Sequence, residues 1–282
     1  MRFSAAEVAA AVAGVLHGDD VEICGAAIDS RLVTGGELFV PVVADRDGHD
    51  FVATAVERGA AHLTARIVDD DSPRPVIAVA DTATALLEVG RLARSRLPDR
   101  VVGITGSVGK TSTKDLLATV LARRFVTAAS ERSFNNELGV PLTLANAPEG
   151  TEAAVIEMGA RGPGHIALLC DVARPTVGIV TAVVDAHLEM FGSLDGVARA
   201  KGELVEALTA TGAVILNADD PLVAAMADRT SAAVLCFGES GGDVRAEAVT
   251  LDGELRATFT LATGGGRAPV TLAVRGRHQV AN

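Results

Sequence analysis

The chain has 282 residues, 49% of them apolar and 22% charged, and a formal net charge of −11. The length accommodates two domains, the composition excludes collagen-like, coiled-coil and disordered chains, and no apolar run reaches the roughly 18 residues of a membrane span. The acidic balance repels nucleic-acid phosphates at long range, yet it leaves room for small phosphate ligands, which need only local donors. At the N-terminus, Ser4 and Glu7 form an S-x-x-E capping pattern ahead of an alanine-rich helix that Gly18 is placed to end. Glu7 within that stretch argues against a signal peptide. Short strands follow at 21–30, 36–43 and 75–81, with helices at 51–60 and 82–96 between and after them. The run SRLPDR (95–100) reads as a linker that closes a first domain, 1–98.

From Val101 the pattern sharpens. VVGIT is a continuous apolar strand followed by a glycine-rich turn and a helix over 110–124. Further apolar strands at 153–160, 176–183, 212–219 and 232–238 alternate with helices at 164–170, 193–210 and 220–228. Such alternation predicts a doubly wound parallel sheet. Beyond Gly238 the residues alternate in polarity over 243–251, 254–263 and 268–276, as in a small antiparallel sheet appended to the second domain. The fold class expected is therefore α/β in two domains, 1–98 and 99–282. RGRHQVAN at the end starts a helix-like segment, as a truncated or incomplete chain would. Three scattered cysteines, Cys24, Cys170 and Cys236, fit no disulfide or zinc pattern and suggest a reducing, cytoplasmic setting.

Gly106-Ser107-Val108-Gly109-Lys110-Thr111-Ser112 sits between the VVGIT strand and its helix. Glycines let backbone N–H groups turn inward around a phosphate, the helix start adds positive potential, the lysine reaches the outer phosphates and the threonine hydroxyl suits Mg²⁺. The spacing is a variant of the usual G-x-x-x-x-G-K-[ST], because Ile104 stands where that pattern has its first glycine. A P-loop needs a second carboxylate for its metal, and Glu157 sits toward the C-terminal end of the strand at 153–160, on the edge of the sheet where ligands bind. His187 follows the strand at 176–183 on the same edge and has the chemistry of a metal ligand, with Asp185 and Glu189 as neighbouring alternatives. Of the 25 Lys and Arg residues only three are lysine: Lys110, Lys114 and Lys201. A lysine retained in so arginine-rich a chain suggests chemistry that needs a compact amine able to lose its proton.

Together these pieces resemble the Mur ligase family, ATP-dependent amide-forming enzymes of peptidoglycan precursor synthesis. The resemblance rests on GITGSVGKTSTKDLL (103–117), SFNNELGVPLTL (133–144), IEMGARGPGHI (156–166), AHLEMFGS (186–193), AKGEL (200–204) and LNADDP (216–221). DSR (29–31), GELFVP (36–41) and DGHDF (47–51) add to it in the first domain. It is strongest to the member that adds D-Ala-D-Ala to UDP-N-acetylmuramoyl-tripeptide through an acyl phosphate. The member adding the third amino acid and a plain P-loop nucleotide-binding module are the alternatives. The resemblance implies that Gly106 to Ser112 hold the phosphates of ATP, and that Thr111 and Glu157 hold one Mg²⁺. It further implies that His187 and Lys201 hold a second Mg²⁺, Lys201 as the carbamate formed with CO₂. Lys110, Lys201 and His187 are then the catalytic candidates. Ser30, Arg31, His49 and Asp50 match the region holding the UDP moiety, and Asn135 and Asn136 a segment lining the active site. His278, Gln279 and Asn282 match a stretch near adenine, with Gln279 in place of the usual Asn. The resemblance also implies a monomer, with a uridine-substrate domain at 1–98, an ATP-binding domain at 99–282 incomplete at its C-terminus, and a missing third, Rossmann-like domain. A chain without that domain is expected to bind its ligands rather than join them.

Overall fold

The computed structural model describes residues 1–131, 134–185 and 188–282. The chain groups into two compact units, 1–98 with 137–152 and 99–136 with 153–282. A single cut near residue 98 therefore misses the return of 137–152 to the first unit.

The first unit opens with β1 (Arg2–Ser4) and α1 (Ala5–Ala11). Ser4 and Glu7 form the capping box: the Glu7 N–H donates to Ser4 Oγ and the Ser4 N–H to the Glu7 carboxylate. The helix ends at Ala11 rather than at Gly18, because Ala13 adopts a positive φ of 50° and the chain turns into β2 (Val15–His17). β3 (Glu22–Cys24) and β4 (Ala26–Ala27) are the expected strand at 21–30 broken at Gly25, whose φ is +89°. A Cβ on Gly25 would collide with Asn146 Oδ1. β5 (Leu38–Phe39), α2 (Val52–Glu57), β6 (Ala61–Thr64), β7 (Val76–Ala78) and α3 (Thr82–Ser95) complete the first pass. Among the described residues the main sheet runs β2-β7-β6-β5-β4, parallel except for β2, and β1 pairs with β3 separately. Phe39, Val33, Val52 and Ala55 form one buried cluster beneath α2.

The second unit begins with β8 (Val101–Thr105), α4 (Lys110–Leu121) and β9 (Thr127–Ala129). The chain then gives α5 (Gly139–Ala145) to the first unit, where it packs on α3 and all seven residues are buried. There Asn146 closes the open edge of β4, accepting from the Ala26 N–H at 3.0 Å and donating to the Ala26 carbonyl at 2.8 Å. Back in the second unit come β10 (Ala153–Glu157), α6 (His165–Ala173), β11 (Val177–Val180), α7 (Leu188–Phe191), α8 (Leu194–Glu206), β12 (Ala213–Asn217) and α9 (Pro221–Ala224). β13 (Ala233–Gly238), β14 (Val244–Leu251), β15 (Arg256–Thr263) and β16 (Gly266–Arg275) end the order. Nine strands form one sheet, β16-β15-β14-β13-β12-β11-β8-β10-β9, among the described residues.

From β8 the chain winds outward in both directions, which makes the C-terminal end of β8 the switch point where α/β sheets bind ligands. β14 to β16 are the appended antiparallel part, β14 joining β13 at Phe237–Gly238. β8 and β10 are buried along their whole length, each Val or Ile there contributing about 1.5–3 kcal/mol. No helix of the described residues is long and apolar enough to cross a membrane.

Candidate active site

The loop after β8 is shaped by two glycines that nothing else could replace. Gly106 has φ of +147°, and a Cβ there would collide with Thr181 Oγ1. Gly109 takes the left-handed conformation at φ +85° and starts α4 without any side-chain cap. The first-turn N–H groups of α4 therefore face the loop uncapped by a side chain, which is the arrangement that attracts a phosphate. Thr181, just past β11, steadies the loop by donating from Oγ1 to the Val108 carbonyl at 2.6 Å. Ser107 is tied to the same stretch: its N–H donates to the Ala182 carbonyl at 2.7 Å, and its Oγ accepts from the Val184 N–H at 3.1 Å. Asn217 and Asp220, from the LNADDP block, hold that stretch from behind through the Thr181 carbonyl (2.9 Å) and the Val183 N–H (2.7 Å).

Lys110 curls over the loop, its Nζ donating to the carbonyls of Gly106 (2.7 Å) and Ser107 (3.3 Å). Burial lowers its pKa, and the nearby Glu157 charge opposes that shift. Glu157 is only 1% exposed at the end of β10. Both of its carboxylate oxygens are held: Thr111 Oγ1 donates to Oε2 at 2.9 Å and Asn135 Nδ2 to Oε1 at 2.8 Å. A buried carboxylate of this kind requires such partners. The hard oxygens of Thr111 and Glu157 form a donor set that suits Mg²⁺, which binds through one or two protein oxygens and keeps its other positions for water and phosphate. No cluster of three or more His, Cys, Asp or Glu exists among the described residues.

Lys201 projects from α8 into a cavity of about 160 Å³ that Lys110, Asn135 and Asn136 also line. The residue is 6% exposed. Burial first, and the like charge of Lys110 second, pull its pKa from 10.5 to about 8. It makes no hydrogen bond or ion pair among the described residues. His187, the other candidate for a second cation, lies outside the described residues. Arg161, His165 and Phe191 complete the cavity wall; their sequence blocks stood out, but nothing in the residue pattern assigned them individually.

Near the C-terminus, His278 is exposed, with its Nε2 3.2 Å from the Gln279 amide nitrogen. Asn282 donates to Gln279 Oε1 at 2.9 Å, and its own Oδ1 lies 2.5 Å from where a Cβ on Gly109 would stand. Asn282 thus touches the loop that Gly106 to Ser112 form.

The first-unit candidates are placed differently. Ser30 is buried and Arg31 exposed in the turn Ser30–Leu32, where the Arg31 guanidinium grips Asp29 (Nη2 to Oδ2 2.6 Å, Nε to Oδ1 2.9 Å). Those bonds lower the Asp29 pKa to about 2. His49 is buried in the turn Gly48–Phe51: its Nε2 accepts from the Ala65 N–H at 3.1 Å, so Nδ1 carries the proton and donates to Asp47 at 2.7 Å. Asp50 pairs with Arg66 at 3.0 Å.

A nine-stranded sheet whose central strand runs into a glycine loop, a lysine and a Thr–Glu oxygen pair defines a P-loop phosphate-binding α/β domain. Residues 104–282 match the Mur ligase middle domain. The chain belongs to the Mur ligase family. It is 42% identical, over 90% of its length, to the UDP-N-acetylmuramoyl-tripeptide–D-alanyl-D-alanine ligase of Mycobacterium tuberculosis, and covers 54% of that protein. The MurF crystal structure from Acinetobacter baumannii superposes with a TM-score of 0.90 at 32% identity, covering all of this chain and 63% of that one. The MurF ligase of Thermotoga maritima in complex with ADP gives 0.80 at 30% identity, over 91% of this chain and 60% of that one. The chain thus spans about half to two thirds of the length of these relatives.

Proposed function

We propose that the protein acts as an ATP-dependent ligase that joins D-Ala-D-Ala to UDP-N-acetylmuramoyl-tripeptide in peptidoglycan precursor synthesis. The tripeptide's terminal carboxylate would be activated as an acyl phosphate, and the dipeptide amine would then displace phosphate. One observation carries the reading: Lys110, Asn135 and the amine of Lys201, unpartnered among the described residues, line one small cavity beside the phosphate loop, and Asn135 holds the carboxylate of the Thr111–Glu157 pair.

In the activation step, where the carboxylate attacks the γ-phosphate of ATP and ADP leaves, two anions must meet. Lys110 would leave the carbonyls of Gly106 and Ser107 for the outer phosphates and offset that repulsion. Thr111 and Glu157 would hold Mg²⁺, which when bound draws charge from the phosphate oxygens. Asn135 keeps Glu157 aimed. Lys201, with its lowered pKa, would supply the neutral amine that CO₂ requires, and its carbamate with His187 would hold the second Mg²⁺. Asn282 and Gln279 would border the base of the nucleotide. Residues 1–98 would take the uridine part of the substrate through Ser30, Arg31, His49 and Asp50, and the enzyme would work as a cytoplasmic monomer.

Thermal unfolding with UDP-N-acetylmuramoyl-tripeptide, UDP and Mg·ATP tests this. A ligand at 100 times its Kd adds about 2.7 kcal/mol when it binds only the folded state. Stabilisation by both the muramyl nucleotide and Mg·ATP is expected. A response to ATP with none to the muramyl nucleotide overturns the substrate assignment.

A further inference from the structure

Of the three lysines in this chain, Lys110 and Lys201 face the cavity, and Lys114 does not. It is 3% exposed, on the face of α4 that also carries Thr111 one turn earlier. Its Nζ donates to the Ser130 carbonyl at 2.7 Å and pairs with Asp115 at 2.9 Å. Ser130 is itself buried just past β9 and is stitched to β10 at two points. Its N–H donates to the Val155 carbonyl at 3.1 Å, and its Oγ accepts from the Glu157 N–H, also at 3.1 Å. Asn135, five residues further along the sequence, holds Glu157 Oε1.

Beyond its strand pairing, the hydrogen bonds that hold Glu157 to side chains among the described residues therefore all involve what Lys114 joins. Thr111 reaches it from α4, Asn135 from further along the sequence than Ser130, and the Ser130 hydroxyl from behind its backbone. Lys114 fixes the orientation of the Ser130–Glu131 peptide relative to α4. A compact ammonium on a narrow stem reaches a single buried carbonyl, whereas a planar guanidinium needs room for five donors. That difference accounts for lysine at this position in a chain that elsewhere uses arginine. We infer that Lys114 is a positioning residue for the Glu157 carboxylate, and through it sets the affinity of the phosphate loop for its divalent cation. The inference rests on the reading of Glu157 as a magnesium-binding carboxylate.

The test measures ATP binding to the full chain by titration calorimetry, with Mg²⁺ and with EDTA, for the parent and for Lys114→Met, Ser130→Ala and Glu157→Gln. The quantity read is the tightening of ATP binding by Mg²⁺. Supporting residues around a metal ligand typically change metal affinity by about 10- to 100-fold. Lys114→Met is expected to cut the Mg²⁺ tightening by about 10-fold and to leave ATP affinity in EDTA within about twofold. Ser130→Ala keeps the carbonyl that Lys114 uses and removes the hydroxyl beneath Glu157; it is expected to act in the same direction, and carries the test if Lys114→Met does not fold. Loss of the tightening in Glu157→Gln with none in the other two variants overturns the inference while sparing the Glu157 reading. Equal weakening of ATP with and without Mg²⁺ in Lys114→Met overturns it in favour of a general loss of structure. Full tightening in Glu157→Gln overturns the reading of Glu157 and the inference with it.

Discussion

The two units hold their candidate residues in opposite states. In the second, Lys110 is parked on two loop carbonyls and Lys201 has no partner among the described residues. Both are cations with lowered pKa values facing one cavity. In the first, Arg31 is locked onto Asp29, Asp50 onto Arg66, and both ring nitrogens of His49 are in use. The second unit is therefore poised to gain from an anionic ligand, because binding there relieves desolvation and like-charge repulsion. The first must exchange existing bonds for new ones, so its ligand affinity depends on what the exchange costs.

The largest break in this contrast would come from Lys110→Ala. A hydrogen bond to a charged group contributes about 1.5–3 kcal/mol, so this variant is expected to bind ATP about 10- to 100-fold more weakly by calorimetry, with UDP binding by the first unit unchanged. Equal ATP affinity would mean that the loop is not poised at all. Lys201→Arg keeps the charge and removes the amine that can deprotonate, so no carbamate is expected to form on it. With a pKa of about 8, the Lys201 amine is neutral in about one molecule in ten at pH 7, against about one in three thousand for an ordinary lysine. A carbamate signal in ¹³C-bicarbonate NMR should therefore rise between pH 7 and 8.5 and be absent from the arginine variant.

Among the described residues, the first unit buries one side-chain polar atom that is not satisfied. His62, 3% exposed in β6, has a buried Nδ1 with no hydrogen-bond partner. Burial, then the charge of His49, lowers its pKa from 6.5 to about 4. Below 6.5 the unfolded chain binds a proton that the folded chain refuses, so stability falls as pH drops from 6.5 toward 4. The loss attributable to His62 is about 2 kcal/mol by pH 5, seen as the difference in acid sensitivity between the parent and His62→Leu. The smallest effect sharpens the contrast most. Asp29→Asn keeps the turn's cap and loosens the exposed Arg31 pair, at a stability cost under about 1 kcal/mol. If ligand binding in the first unit is an exchange of partners, this variant binds UDP several-fold more tightly by calorimetry; unchanged affinity would show that Arg31 is not exchanged.

The sequence made the second unit more legible than the first, for physical reasons. Long buried strands such as Val101–Thr105 and Ala153–Glu157 read as unbroken apolar runs. The short strands Val15–His17 and Ala61–Thr64 do not, and the second has a histidine among fully buried neighbours. Gly139–Ala145 carries Pro141 and follows a polar motif, so its helix was hidden by the motif around it. At the site, Lys110, Thr111 and Glu157 were legible because side-chain chemistry and spacing single them out. Ser130 and Thr181 were not, because they act through backbone carbonyls and N–H groups, which leave no mark on residue type; Lys114 stood out as a retained lysine, but its buried carbonyl partner did not.

The return of 137–152 also bears on how the protein is made. The core of the first unit needs Gly139–Ala145 against α3, and the edge of β4 needs Asn146. A ribosome that has delivered the first 98 residues has not yet delivered those parts. β8, the phosphate loop and α4 emerge next, while the first unit still lacks its last helix. Vectorial folding, one domain at a time as the chain appears, is therefore closed to the first unit until residues 137–152 have been synthesised.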